Sequence, residues 1–214
     1  MEETAVNHRE AIISNFMSYM LEHGKKPHNI FTFTKENEMN ESDFYAHFPN
    51  FEELEKEIFC EFFTQTLTLL EKNEEYNSFD AQNKLLSFYF TFFEILTKNR
   101  SYVLQAIKTD KLKGLGITKR LGKHFKQFIH SIDIETMTIP EDRLNSFKDK
   151  SIAEAYWGQC AFIIAYWERD TSPNFEKTDV LIEKLVNTGF QLQDIKPLES
   201  VLDLGKFLLK ELRK

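Results

Sequence analysis

The side chains best suited to chemistry are six histidines and two cysteines, and their spacing builds no catalytic centre. His8, His23, His28, His47, His124 and His130 are scattered through mostly polar surroundings. His124 and His130 lie six positions apart, on different faces of any helix that holds them both, so they do not share a metal. No serine or cysteine stands at a motif spacing from a histidine that could activate it as a nucleophile. Cys60 and Cys160 are a hundred residues apart and suggest neither a disulfide framework nor a metal site, which fits a cytoplasmic setting. Gly114-Leu115-Gly116 lacks the preceding strand and the third glycine that a phosphate cradle needs. The reading is a protein that is not an enzyme and uses no cofactor.

What remains is binding. The chain carries 21 phenylalanines, and large rings concentrate in two places. Phe88, Tyr89 and Phe92 fall in one stretch, and Tyr156, Trp157, Gln159, Cys160 and Trp167 in another. Rings with a few polar partners, here Tyr89, Arg100, Tyr156 and Gln159, suit a pocket for a small apolar ligand of the lipid, quinone or fatty acid class. The same residues suit a solid core equally well, and the spacing does not choose between the two.

Charge is unevenly spread. The net charge is -7, and Met1–Cys60 holds twelve Asp/Glu against five Lys/Arg, so this segment carries the whole excess. DNA-binding faces draw most of their affinity from Lys and Arg neutralising phosphates, so the balance argues against ordinary DNA binding there. The opposite bias falls between Lys108 and Lys126, with seven basic residues and one acid. A helix over about 118–132 would bury Leu121, Phe125, Phe128 and Ile129 and turn Lys119, Arg120, Lys123 and Lys126 outward, where they could meet an anionic surface. No apolar run approaches the roughly 20 residues of a membrane span, since Leu85–Leu96 is short and contains Glu94. Met1–Arg9 is polar and acidic, unlike a signal peptide.

Periodicity predicts helices throughout. The first runs from about Ala5 to His23, with Gly24 as C-cap, and a short second one spans Asn29 to Asn37. Asn40 can cap a third helix by accepting from its free N–H groups, and Phe44, Tyr45 and Phe48 recur at helical spacing. Pro49 stops it, and Asn50 caps a long helix from Phe51 to about Glu74, with Glu52 and Glu53 at its positive end. Asn73–Ser78 reads as a turn whose Ser78 caps a helix to Lys98; a short helix then spans Ser101–Asp110. Lys111–Thr118 and Asp133–Asn145 read as loops. A long helix follows to Asp170, then one opened by Ser172-Pro173 and reaching Gln193, and a last one from Pro197.

The stretch from Met39 to Leu54, Met-Asn-Glu-Ser-Asp-Phe-Tyr-Ala-His-Phe-Pro-Asn-Phe-Glu-Glu-Leu, resembles the tetracycline-repressor (TetR) family pattern V-S-x-x-T-L-Y-x-H-F-x-S-K-E-E-L without a gap. Asn40 stands for the first Ser, Phe44-Tyr45 for Leu-Tyr, His47-Phe48 for the aromatic pair, Asn50 for the second Ser, and Glu52-Glu53-Leu54 match unchanged. The likeness covers roughly the first sixty residues. It departs at Asn37-Glu38, where a small residue and Gly are usual, at Asp43 for Thr, and at Phe51 for Lys.

The resemblance implies an all-α fold. A three-helix helix-turn-helix domain at residues 1–50 would be joined by a long helix to a ligand-binding and dimerisation domain at 51–214. It implies a homodimer and a DNA operator, contacted from among Lys25, Lys26, Lys35, Glu41, Ser42, Tyr45 and His47, although His47 falls at a position that packs in the family. It implies a transcriptional regulator that answers to a small apolar ligand, here with weak or unusual DNA binding. The alternative is a binding protein that keeps the fold and has lost DNA, for which the ubiquinone-biosynthesis accessory proteins are a lipid-holding precedent.

Overall fold

A computed structural model describes residues 2–113, 116–132, 134 and 142–193, with side chains described for 8–109, 116–132, 134 and 152–191. Among the described residues there are nine α-helices, two 3-10 turns and no strand. The helices are α1 (Glu2–His23), α2 (Ile30–Glu36), α3 (Glu41–Tyr45), α4 (Phe51–Glu71), α5 (Ala81–Lys98), α6 (Arg100–Lys113), α7 (Ile117–Ser131), α8 (Asp142–Arg169) and α9 (Glu176–Gln193). The all-α expectation therefore holds.

Local caps explain most boundaries. Gly24 takes a φ of +68 and its N–H donates to the Met20 carbonyl at 3.0 Å, closing α1 in the left-handed conformation that glycine adopts freely. Asn29 accepts from the Thr32 N–H at 2.7 Å and Asn50 from the Glu53 N–H at 2.8 Å, starting α2 and α4. Other boundaries differ from the sequence reading. The lysine-bearing stretch 111–113 continues α6, because lysine is a good helix former and only the glycines beyond it favour a break. Helix α8 begins at Asp142, inside the expected loop, since nothing after Pro140 opposes a helix and an acid suits its first turn. Asp80, not Ser78, caps α5 by accepting from the Asn83 N–H at 2.7 Å; Ser78 donates instead to the Glu75 carbonyl. Pro173 opens a 3-10 turn, Pro173–Phe175, ahead of α9. The helix expected from Pro197 lies outside the described residues.

The chain divides into two compact units, Met1–Lys72 with Thr91–Phe125, and Asn73–Phe90 with Lys126–Lys214. In the first, the three-helix head is closed by aromatic rings. Phe51 stacks on Phe16 at 5.3 Å and meets Phe33 and Phe44 edge-on at 5.5 and 5.4 Å. Ile12, Phe16 and Met20 of α1, Phe33 of α2, Phe44 of α3 and Leu54 of α4 are buried around it. Removing any one of these rings should cost about 3–5 kcal/mol.

In the second unit, Phe88 of α5 stacks on Phe128 of α7 at 4.5 Å. Tyr156, Cys160, Ile163 and Trp167 line the buried face of α8, which packs on α9 through Ile182 and Val186. The turn between α8 and α9 is held by Asp170. Its carboxylate accepts from the Ser172 N–H and hydroxyl at 2.9 and 2.7 Å, and from the Thr178 N–H and hydroxyl at 2.9 and 2.7 Å.

Candidate functional site

The helix-turn-helix face is built by α2, α3 and the turn between them. Asn37 ends α2 by donating its side-chain amide to the Phe33 carbonyl at 2.7 Å. Glu38 then takes a φ of +56, a left-handed conformation that costs a non-glycine residue about 1–2 kcal/mol. The Met39 N–H returns to the Thr34 carbonyl at 2.9 Å and sets the angle at which α3 leaves.

Asp43 works within this scaffold. Its carboxylate accepts from the Asn40 backbone N–H at 3.0 Å and from the Asn40 side-chain amide at 3.4 Å. Asn40 and Asp43 thus form a reciprocal capping box at the start of α3, and the Asn40 amide adds a donation to the same carboxylate. Phe51 has a structural account too. Where a family lysine would meet phosphate, this ring is 8% exposed and forms the hub of the aromatic core.

Glu41, Ser42 and Tyr45 are exposed along α3, and Lys25, ahead of α2, and Lys35, within it, are exposed as well. Lys26 is not available in the same way. Its ammonium pairs with Glu55 and, at 3.5 Å, with Glu52; the side chain is 13% exposed and that of Glu55 0%. Charge inside the head recruits it, because a carboxylate cannot be left buried without a partner. Tyr102 of α6 is buried near Glu55, and burial together with that negative charge raises its phenol pKa well above the usual range.

His47 is half-buried and lines a cleft of 260 Å³ with Arg9, Phe48, Pro49, Glu53, Glu57 and Arg120. A charge ladder runs along it. Arg9 bonds Glu57 at 3.2 Å and Glu61 at 2.5 Å, and Arg120 bonds Glu57 at 2.5 Å and Glu53 at 2.9 Å. Arg9 also sits 5.6 Å over the Phe48 ring. The hydrogen bond from Lys56 holds the Glu53 carboxyl below its ordinary pKa, against a smaller opposing effect of burial, with Lys56 and Arg120 charges assisting. The sequence offers no local signal for partners 48 to 67 positions apart. This pairing also corrects the picture of α7: its apolar face is buried as expected, but Arg120 is tied to α4 and Lys126 to Glu154 at 2.6 Å. Only Lys119 and Lys123 of the four remain exposed without a described ion pair.

The aromatic residues separate. Phe92 belongs to the first unit, where it lies 5.9 Å from Phe93. In the second unit, Phe88, Tyr89, Tyr156, Cys160 and Trp167 are buried and Trp157 and Gln159 half-buried. The Tyr89 hydroxyl donates to Gln159 Oε1 at 3.1 Å, and Gln159 Nε2 donates to the Leu185 carbonyl at 3.2 Å. This relay ties α5, α8 and α9 together at one polar point inside an apolar core. Burial raises the Tyr89 phenol pKa well above its usual value and pushes up the Cys160 thiol, so both stay neutral near pH 7. Trp157 and Trp167 are ten residues apart on one helix, about 15 Å along its axis, so one small ligand does not readily touch both.

On the outer side of α8 and α9, Phe162, Tyr166 and Val180 are exposed. Two grooves meet at Tyr166. One of 320 Å³ includes Phe162, Ala165 and Asp170, and one of 340 Å³ includes Val180, Leu181 and Lys184. No helix among the described residues is long and apolar enough to cross a membrane, and no group of acids, histidines and cysteines there could hold a metal.

Residues 84–208, more than half of the 214-residue chain, match a family model described as tetracyclin repressor-like, C-terminal domain. No curated protein matches the chain. The matched segment lies wholly beyond the helix-turn-helix stretch, so the two ends of the chain point to one family through different residues.

Proposed function

The chain belongs to the tetracycline-repressor family, and from that premise we propose that it is a regulator of that family whose hold on DNA is weak or unusual and whose C-terminal part answers to a small apolar ligand. Residues 1–50 form the DNA-binding-like head and residues 51–214 the ligand-binding and dimerisation part. The protein is not an enzyme and acts in the cytoplasm.

One observation carries the DNA half of this reading: Lys26 is spent inside the head on Glu55. Of the three lysines that could compensate for an acidic recognition helix, Lys25 and Lys35 alone are exposed. They stand against exposed Glu36, Glu38 and Glu41, and a phosphate backbone meets net repulsion. Sequence reading of Glu41 stays open, since a carboxylate can accept from cytosine in the major groove.

The ligand half rests on the Tyr89–Gln159 relay among Phe88, Tyr156, Cys160 and Trp167. Such a site would hold an uncharged or weakly polar molecule, a lipid, quinone or fatty acid, by apolar contact and one or two hydrogen bonds. Two copies would join through the exposed Phe162 and Tyr166 of α8 and Val180 of α9 into a four-helix bundle. An anionic surface, if one is met through α7, would have to be held by Lys119 and Lys123.

The turned-in Lys26 also favours a second reading, a binding protein of the same fold that no longer uses DNA. Selection of full-length protein against a random-sequence duplex pool at physiological salt separates the two. Enrichment of one palindromic motif supports a regulator; no enrichment, with ligand-dependent tryptophan quenching intact, supports the second reading.

A further inference from the structure

We propose that Glu41 selects the operator, its carboxylate accepting a hydrogen bond from the amino group of a cytosine in the major groove, once in each half-site. The proposal rests on the regulator reading and goes beyond it by naming the base that the head selects. In a helix-turn-helix the second helix enters the major groove and its first residues meet base edges, while the helix before it crosses the backbone. Helix α3 stands in the second place, and Glu41 is its first residue. The neighbouring polar groups are engaged. The Asn40 backbone N–H and side-chain amide both donate to the Asp43 carboxylate, at 3.0 and 3.4 Å. The Glu41 side chain is exposed and has no hydrogen bond or ion pair among the described residues. Tyr45 lies one turn further along the same face, its ring held edge-on against Phe44 at 5.9 Å. Tyr45 and, on α2, Lys35 are exposed and supply phosphate contacts, which position the head without reading sequence.

Hydrogen-bond chemistry sets the base. An ionised carboxylate accepts and cannot donate. In the major groove guanine shows two acceptors, and thymine an acceptor and a methyl group, so neither offers it a hydrogen. Adenine has an amino group, but its N7 acceptor lies alongside and faces the second carboxylate oxygen. Cytosine presents an amino donor with no acceptor of its own on that edge. A carboxylate also rejects the wrong bases, because its charge is then left unpaired against their acceptors. Ser42 beside it can donate or accept, and so makes no such choice.

The test is a selection from a random-sequence duplex pool, run in parallel on full-length wild type, Glu41→Gln, Glu41→Ala and Glu38→Gln. Both glutamates are exposed, so the substitutions leave the core of the head intact. Wild type is expected to enrich a palindromic motif with a fixed cytosine in each half-site. Glu41→Gln should move that position to adenine, which glutamine pairs through N6 and N7, and Glu41→Ala should leave it unspecified. Glu38→Gln removes the same charge from a nearby exposed acid and should keep the cytosine. In anisotropy on the enriched duplex, replacing that cytosine should weaken wild type about tenfold or more and Glu41→Ala by less than about twofold. A motif in which no position follows residue 41, in which the position that does is not cytosine for wild type, or in which Glu38→Gln causes the same shift overturns the proposal and leaves the regulator reading standing. No enriched motif with any of these proteins overturns both.

Discussion

Lys26 points into the protein, onto the buried carboxylate of Glu55. The pair joins the segment between α1 and α2 to α4, and under the proposed function it withdraws a cation from the DNA-facing side. An ion pair this deep contributes little net stability against a hydrophobic replacement, yet breaking one half is costly, because the other charge is left buried.

Lys26→Ala should therefore destabilise the protein by about 3–5 kcal/mol, and the double variant Lys26→Met/Glu55→Leu by clearly less. Urea denaturation at neutral pH measures both. A Lys26→Ala change within about 0.5 kcal/mol of wild type would show that the pair is not effectively buried.

Phe51→Lys restores the residue usual at this position in the resembled family and should not restore DNA binding. It removes the ring that contacts Phe16, Phe33 and Phe44 and forces an ammonium into their place. The expected loss is about 3–5 kcal/mol or more, with early melting of the head by hydrogen exchange. A folded variant with stronger DNA binding would mean that position 51 is a contact after all.

Asp170 should give the fold an acid limb. Burial alone would raise its pKa, but the hydrogen bonds from Thr178 and Ser172 outweigh it and hold the carboxyl at about 2. The folded pKa is below the unfolded one, so this stabilisation is complete above the unfolded pKa near 3.8 and fades as pH falls toward 2. Asp170→Asn should cost about 1–2 kcal/mol at neutral pH and flatten the decline between those two values. An unchanged acid limb in the variant would assign it to other carboxylates.

Phe162→Glu tests the proposed pairing of copies. The ring is exposed on α8 beside Tyr166, so the substitution leaves the described core untouched. Wild-type protein is expected to scatter light as a dimer at micromolar concentration, and the variant as a monomer with unaltered helix content. A dimeric variant would put the interface elsewhere.

How far the sequence could be read depended on range. The caps at Asn29 and Asn50, the left-handed close at Gly24 and the aromatic spacing of Phe44 and Phe48 are local, and they placed α1 to α4 within a few residues. Asp43 is a local signal too, since an acid three residues after an N-cap is the capping-box pattern. The ladder of Arg9, Glu57 and Arg120 was not legible, because nothing near any of the three indicates a partner so distant in sequence. The inward turn of Lys26 is hidden from the sequence for the same reason. Its partner Glu55 reads as one more solvated acid on an amphipathic helix until the fold buries it. In the aromatic cluster, ring density was plain, but the division that separates Phe92 from the Tyr89–Gln159 relay depends on packing.

The central claim is that this head carries too few outward cations, against too many outward carboxylates, to hold DNA as its relatives do. Anisotropy of a labelled random-sequence duplex, with full-length protein titrated from about 50 to about 200 mM salt, tests it most directly. The account predicts weak binding with a shallow salt slope, one or two phosphates' worth, and a clear gain in affinity for Glu38→Lys/Glu41→Lys. A steep salt slope on that duplex, matching six or more neutralised phosphates, with no gain in affinity for Glu38→Lys/Glu41→Lys, would contradict it.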